Sequence, residues 1–278
     1  MAKALSEAAI AHYREAGYFH PLQVLSEAEV AECRRQLEQI EATQGHPIQG
    51  PGRSKSHLLF PWIDELIRHP KILDAVEDLI GPDILLWNSV WWIKEPMSEA
   101  YVAWHQDGKY VGLDTSQFVT AWLALSPATL ESGCMRVLPG SHREPLLDHN
   151  DLFTEDNMLS RGQEIAVPVD ESRTVAMELA PGQISLHDVG LAHASAPNRS
   201  RDRRIGLSMH FIPTSSRQLA RDNDTATLVR GEDRYHHFTL LPRPQRDFDE
   251  AAARLHEAAT DTFRAVVFKD AEKVRLQF

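Results

Sequence analysis

The chain has 278 residues, 42% of them hydrophobic, and a formal net charge of −11. That is enough apolar material for one full core, expected as a single domain over 1–278, and the acidic balance excludes the basic footprint of a nucleic-acid binder. No apolar run nears the ~18 residues of a membrane span, and the start M-A-K-A-L-S-E-A-A-I carries no basic stretch followed by an apolar core. The expectation is a cytoplasmic protein that works on a small molecule as a monomer or homodimer, with no membrane and no nucleic-acid partner.

Residues 1–82 read mainly as helix. Ser6 opens a first helix that Gly17 closes. Ser26 with Glu29 spells a capping box, followed by Val30, Cys33, Leu37 and Ile40 at helical spacing, with Gly45 as the stop. Pro61 suits a first helical turn, Pro70 splits the stretch 61–80 into two short helices, and Gly81-Pro82 ends the second. Residues 45–57 form a polar loop, read either as a linker or as a mobile rim over a pocket.

From Ile84 the period falls to two. Strands are expected over 84–94, 102–106, 118–125, 135–138, 174–179, 183–187 and 204–212, punctuated by Pro and Gly. The core is therefore placed at 83–213. It is interrupted by 142–171, a connection without sustained periodicity and of lid-like length. Residues 214–278 read as a C-terminal extension with a late Ala-rich helix. Helices first and short strands afterwards define an α+β chain. Cys33 falls on a helical stripe and Cys134 in a strand-like run, so both are expected as reduced core thiols.

His105 and Asp107 are two apart, so on a strand they share one face and can hold one ion while Gln106 points away. Two imidazoles and one carboxylate leave three positions open on an octahedral metal. His187 and His193 both qualify as the second imidazole. Arg204 opens the strand R-I-G-L-S-M-H-F-I, on which Ile205, Leu207, Met209 and Phe211 form one face and Arg204, Gly206, Ser208 and His210 the other. An arginine buried on a strand's inner face calls for an anion. Arg203, of opposite parity, is expected in water. The substrate-facing parts are expected in 45–57, 108–117 and 142–171, with Tyr110, Asn157 and Arg161 as candidate substrate residues.

The triplet H-Q-D at 105–107, the segment S-G-C-M-R-V-L-P-G-S-H at 132–142 and H-A-S-A-P-N-R-S…R at 193–204 resemble the phytanoyl-CoA dioxygenase (PhyH) family. The resemblance covers about 5–213. It implies a double-stranded β-helix, a cupin-like jelly roll, with the N-terminal helices packed on one sheet. It selects His193 over His187, because Arg204 then stands at the family's eleven-residue spacing. It further implies that His105, Asp107 and His193 hold Fe(II), that Arg204 and Ser195 take the distal carboxylate of 2-oxoglutarate, and that Trp122 and Thr120 line the co-substrate pocket. The implied reaction is a dioxygenase reaction. O2 and 2-oxoglutarate are consumed, succinate and CO2 leave, and an unactivated C–H bond of a small molecule is hydroxylated. Halogenases of this fold carry Ala or Gly in place of the carboxylate; Asp107 argues for hydroxylation. Two other classes share such a fold: a metal-dependent isomerase or hydrolase without 2-oxoglutarate, and a non-catalytic ligand-binding jelly roll.

Overall fold

A computed structural model describes residues 2–274. In chain order the elements are α1 (Glu7–Ala16), β1 (Tyr18–Gln23), α2 (Glu27–Gln44), α3 (Pro61–Leu66), α4 (Pro70–Ile80), β2 (Ile84–Lys94), β3 (Val102–His105), β4 (Val119–Ala124), β5 (Met135–Val137), β6 (His149–Asp151), β7 (Gln163–Ile165), β8 (Val175–Met177), β9 (Gln183–Asp188), β10 (His193–Ser195), β11 (Arg204–Pro213), β12 (Thr225–Arg230), β13 (Thr239–Leu240) and α5 (Glu250–Val267). The caps are those the sequence spells. The Ser6 and Ser26 side chains accept from the amides of Ala9 and Glu29, Glu29 returns the bond to Ser26, and Gly17 and Gly45 close their helices in the left-handed region.

Seven strands form one sheet in the order β1-β9-β4-β11-β2-β12-β13, and four form a second in the order β3-β10-β5-β8. The β11 alternation sorts the molecule into layers. Ile205, Leu207, Met209 and Phe211 join a core made with α1 to α4, including Leu37, Ile63, Ile72, Leu73 and Val76. The opposite face of the large sheet meets the small sheet through Trp122, Ala124, Cys134, Met135, Val137 and Met177. These two facing sheets are the jelly roll, with helices stacked on one of them. No helix among the described residues is long and apolar enough to cross a membrane.

Four features differ from the reading of the sequence. The helical N-terminal part also supplies β1, which pairs with β9 at the edge of the large sheet. Its Pro21 hides a strand pattern that an edge position tolerates, since an edge amide need not donate. The sheet also continues past Pro213: β12 pairs with β2, and α5 packs Phe263 against Trp87 with ring centroids 5.3 Å apart. The loop over 45–57 is no rim. Ser54, Lys55, Ser56 and His57 are buried, and Lys55 donates to the carbonyl of Trp87. Finally, 142–171 contains the two-stranded ribbon β6–β7.

Candidate metal and co-substrate site

The small sheet carries the site. β10 lies between β3 and β5, and its register sets His193 opposite His105. Their rings lie 4.0 Å apart, and the possible ligand atoms of His105, Asp107 and His193 all fall within 4.8 Å of one another. Asp107 is not on the strand. It starts a single 3-10 turn at 107–109, just beyond the end of β3, and still brings Oδ1 to 3.4 Å from His105 Nε2. The sequence cannot show that turn, since H-Q-D suits either geometry.

The backbone fixes the tautomers. His105 Nδ1 lies 2.9 Å from Ala103 O and 3.1 Å from His193 O, and His193 Nδ1 lies 2.9 Å from Leu191 O. A carbonyl only accepts, so each Nδ1 carries the proton and each Nε2 lone pair is left for a metal. Burial, reinforced by His105, pushes His193 down to about 4, so it is a neutral donor at ordinary pH. Burial alone would raise Asp107. The two imidazoles beside it outweigh burial, His105 most, and hold the carboxyl well below the usual range.

His187 belongs to the large sheet on β9, its ring 4.8 Å from that of His193. It is buried, both ring nitrogens lack partners among the described residues, and it stands outside the triad. It lines the same cavity as the triad, together with Thr120, Trp122, Ser195, Arg204, Ser208 and His210.

The eleven-residue step from His193 to Arg204 is held by Asn198. Its amide nitrogen donates to the carbonyls of Lys94, Glu95 and Asp202, and its Oδ1 accepts from Ser200. This cross-brace turns the chain so that Arg204 enters β11 on the cavity side. Arg204 is buried. One of its terminal nitrogens donates to Gly133 O at 2.9 Å, and the guanidinium sits 5.3 Å from the Trp122 ring centre. Gly133 has φ +70, and a Cβ there would run into Ala196 O, which accounts for the glycine of S-G-C-M-R. Gly206 serves Trp122: a Cβ would overlap the indole, which therefore lies flat across the glycine. Arg204 Nε has no partner among the described residues, and burial pushes the guanidinium down to about 10. Arg203 is not in water. It makes a two-pronged pair with Glu41 of α2 and bonds Glu95.

Sequence reasoning missed Lys94. It is fully buried at the end of β2, opposite Arg204, and donates to Ser195 Oγ at 2.7 Å and to the carbonyls of Ser195 and Ala196. The available signal was parity, since Lys94 shares a strand face with Trp92.

The candidate substrate residues separate. Trp92, Asp107 and His210 border a second cavity, whose other walls are mainly Trp87, Tyr110, Val111, Leu159, Phe263 and Val267. Tyr110 is thus beside the metal site. Arg161 stacks on Tyr110 at 5.2 Å but spends its nitrogens on Asp151 and the carbonyls of Val267 and Lys269. Asn157 is buried and neither cavity includes it; its Oδ1 accepts from the Leu159 amide. Its bonds to the local backbone make it a brace of the 142–171 segment.

These residues fit an Fe(II)–2-oxoglutarate pair: a facial His/Asp/His donor set, and beside it a buried guanidinium with an unused donor. Fold and site together have the form found in mononuclear non-haem iron enzymes that use a 2-oxo acid. The sequence model of the phytanoyl-CoA dioxygenase family matches residues 13–206, and the chain belongs to that family. It is 34% identical over 158 residues to a probable alpha-ketoglutarate-dependent hypophosphite dioxygenase of Stutzerimonas stutzeri, covering 56% of this chain and 54% of the relative. The chain thus spans about half the length of that curated relative. Among solved structures it is similar to the apo form of the non-heme monooxygenase ThoJ, with TM-score 0.80 and 34% identity over 93% of this chain and 97% of the other. It is also similar to the epimerase SnoN in complex with Fe3+, alpha ketoglutarate and nogalamycin RO, with TM-score 0.62 and 26% identity over 76% and 85% of the two chains.

Proposed function

We propose that the protein is an Fe(II)/2-oxoglutarate-dependent dioxygenase that hydroxylates an unactivated C–H bond of a small molecule, with release of succinate and CO2. The observation that carries this reading is the pairing of the triad with Arg204 in one buried cavity. Bound together, ferrous iron and 2-oxoglutarate supply O2 activation and the oxidising power for C–H cleavage. The chain's own work is placement. His105, Asp107 and His193 hold the metal, and Arg204 and Ser195 hold the distal carboxylate, with Trp122 and Thr120 as walls. Retention of Asp107 leaves no ligand position to spare for a halide, which supports hydroxylation.

The second cavity supports the substrate end of the reading. Its walls are mainly aromatic and aliphatic, with Ser160 and Gln163 as neutral polar groups. Such a chamber suits the apolar part of a small molecule and excludes water from the reacting bond. Tyr110 meets the substrate there. Arg161 acts at one remove, tying 142–171, the proposed lid, to the end of α5. The test is succinate. Fe(II)-loaded protein given 2-oxoglutarate in air should release succinate and CO2, even slowly without substrate, and His193→Ala should not. Equal release from both proteins would overturn the assignment.

A further inference from the structure

Behind the wall of the co-substrate cavity lies one cation more than the proposed task of that cavity needs. Lys94 and Arg204 are opposite each other across β2 and β11, both buried, and among the described residues the hydrogen-bond partners of both are hydroxyl or carbonyl oxygens, none a carboxylate. A fold that places two like charges together without an anion incurs a desolvation and repulsion cost, unless a ligand supplies the anion. Lys94 also does something definite to its neighbour. Its Nζ reaches three acceptors: Ser195 Oγ at 2.7 Å, Ser195 O at 3.2 Å and Ala196 O at 2.5 Å. An ammonium has three N–H groups and can serve all three at once.

An ammonium cannot accept. Ser195 Oγ therefore uses a lone pair on Lys94 and keeps its own proton free. Among the described residues no acceptor takes that proton, and Ser195 lines the cavity beside Arg204. We infer that Lys94 is a positioning residue: it fixes the Ser195 hydroxyl as a donor and adds a second positive charge behind Arg204, so that the pocket selects a 2-oxo acid with a distal carboxylate. The inference rests on the proposed co-substrate role of this pocket. Burial, with Arg204 second, pushes Lys94 down to about 6. These surroundings oppose the ammonium that the three acceptors suit, and a carboxylate bound at Arg204 would favour it.

The experiment compares two 2-oxo acids on the Ni(II)-loaded protein, which binds without turnover. Calorimetry gives the Kd of 2-oxoglutarate and of 2-oxobutyrate, which has the same chelating head but no distal carboxylate. Lys94→Met should weaken 2-oxoglutarate about tenfold or more, equivalent to ~1.4 kcal/mol, and leave 2-oxobutyrate within about twofold. Because Lys94 acts through Ser195, Lys94→Met with Ser195→Ala should lose less than the sum of the two single losses. If Lys94→Met does not fold, Lys94→Gln removes the charge but keeps a donor, and the same selective loss is expected. Equal loss of both acids would mean a structural prop, and no loss or full additivity would equally overturn the role. Wild-type protein that does not prefer 2-oxoglutarate over 2-oxobutyrate would instead defeat the co-substrate reading itself.

Discussion

The two ends of the reaction chamber are built differently. The metal and co-substrate end is made from short stretches of chain with strict local geometry: His105 and Asp107 two residues apart, Ser195 two after His193, and a turn to Arg204 braced by Asn198. The end proposed for the substrate is made by pieces far apart in sequence. Leu159 and Ser160 meet Phe263 and Val267 there, and Arg161 bonds the carbonyls of Val267 and Lys269, more than a hundred residues on. Polar chemistry needs fixed distances and so leaves motifs. An apolar wall needs only volume, which many residues supply. One end should therefore respond to substitution sharply, the other gradually.

The largest effect expected from the co-substrate contacts is at Arg204. Replacing it with Lys would remove the two-pronged, charge-assisted grip proposed for the distal carboxylate and should cost about 2–5 kcal/mol in 2-oxoglutarate binding, while iron per chain stays near that of the wild type. An unchanged 2-oxoglutarate requirement would take the arginine out of the pocket. Next comes Gly206→Ala. The added methyl falls on the Trp122 ring, and such overpacking typically costs about 1–3 kcal/mol. A lower Tm with weakened 2-oxoglutarate binding is expected; unchanged Tm would mean that the indole swings aside freely. The smallest effect is at the other end. Arg161→Gln breaks the pair with Asp151 and the bonds to the end of α5, a loss of about 1 kcal/mol for a partly screened pair. It should raise amide exchange in 142–171 and at 263–269 together, with 2-oxoglutarate affinity intact. Unchanged exchange would remove Arg161 as the tie between them.

The same contrast explains what the sequence made legible. Capping residues and strand parity on β11 are local, and they located the helices and the layers; the choice of His193 over His187 came from the resemblance to the family, through the spacing to Arg204. What escaped depends on tertiary partners. Pro21 masks β1, which is tolerable only because the strand lies at an edge. The register shift opposite His210 brings both Trp87 and Asn88 to the inner side of β2, which alternation alone does not foresee. Lys94 reads as an ordinary strand-end lysine until Ser195 and Arg204 are placed around it. The role of α5 as a cavity wall depends on its packing against Trp87.

His193 and His187 provide the most direct test of the central claim, since both are buried in one cavity and only one completes the triad. Fe(II) and 2-oxoglutarate are titrated together without oxygen, with the visible charge-transfer absorption of a 2-oxo acid chelated to ferrous iron as the signal. The account predicts absorption saturating at one iron per chain in the wild type and in His187→Ala, and none in His193→Ala. Absorption that survives in His193→Ala and vanishes in His187→Ala would place the metal on the large sheet and contradict the His105, Asp107 and His193 site.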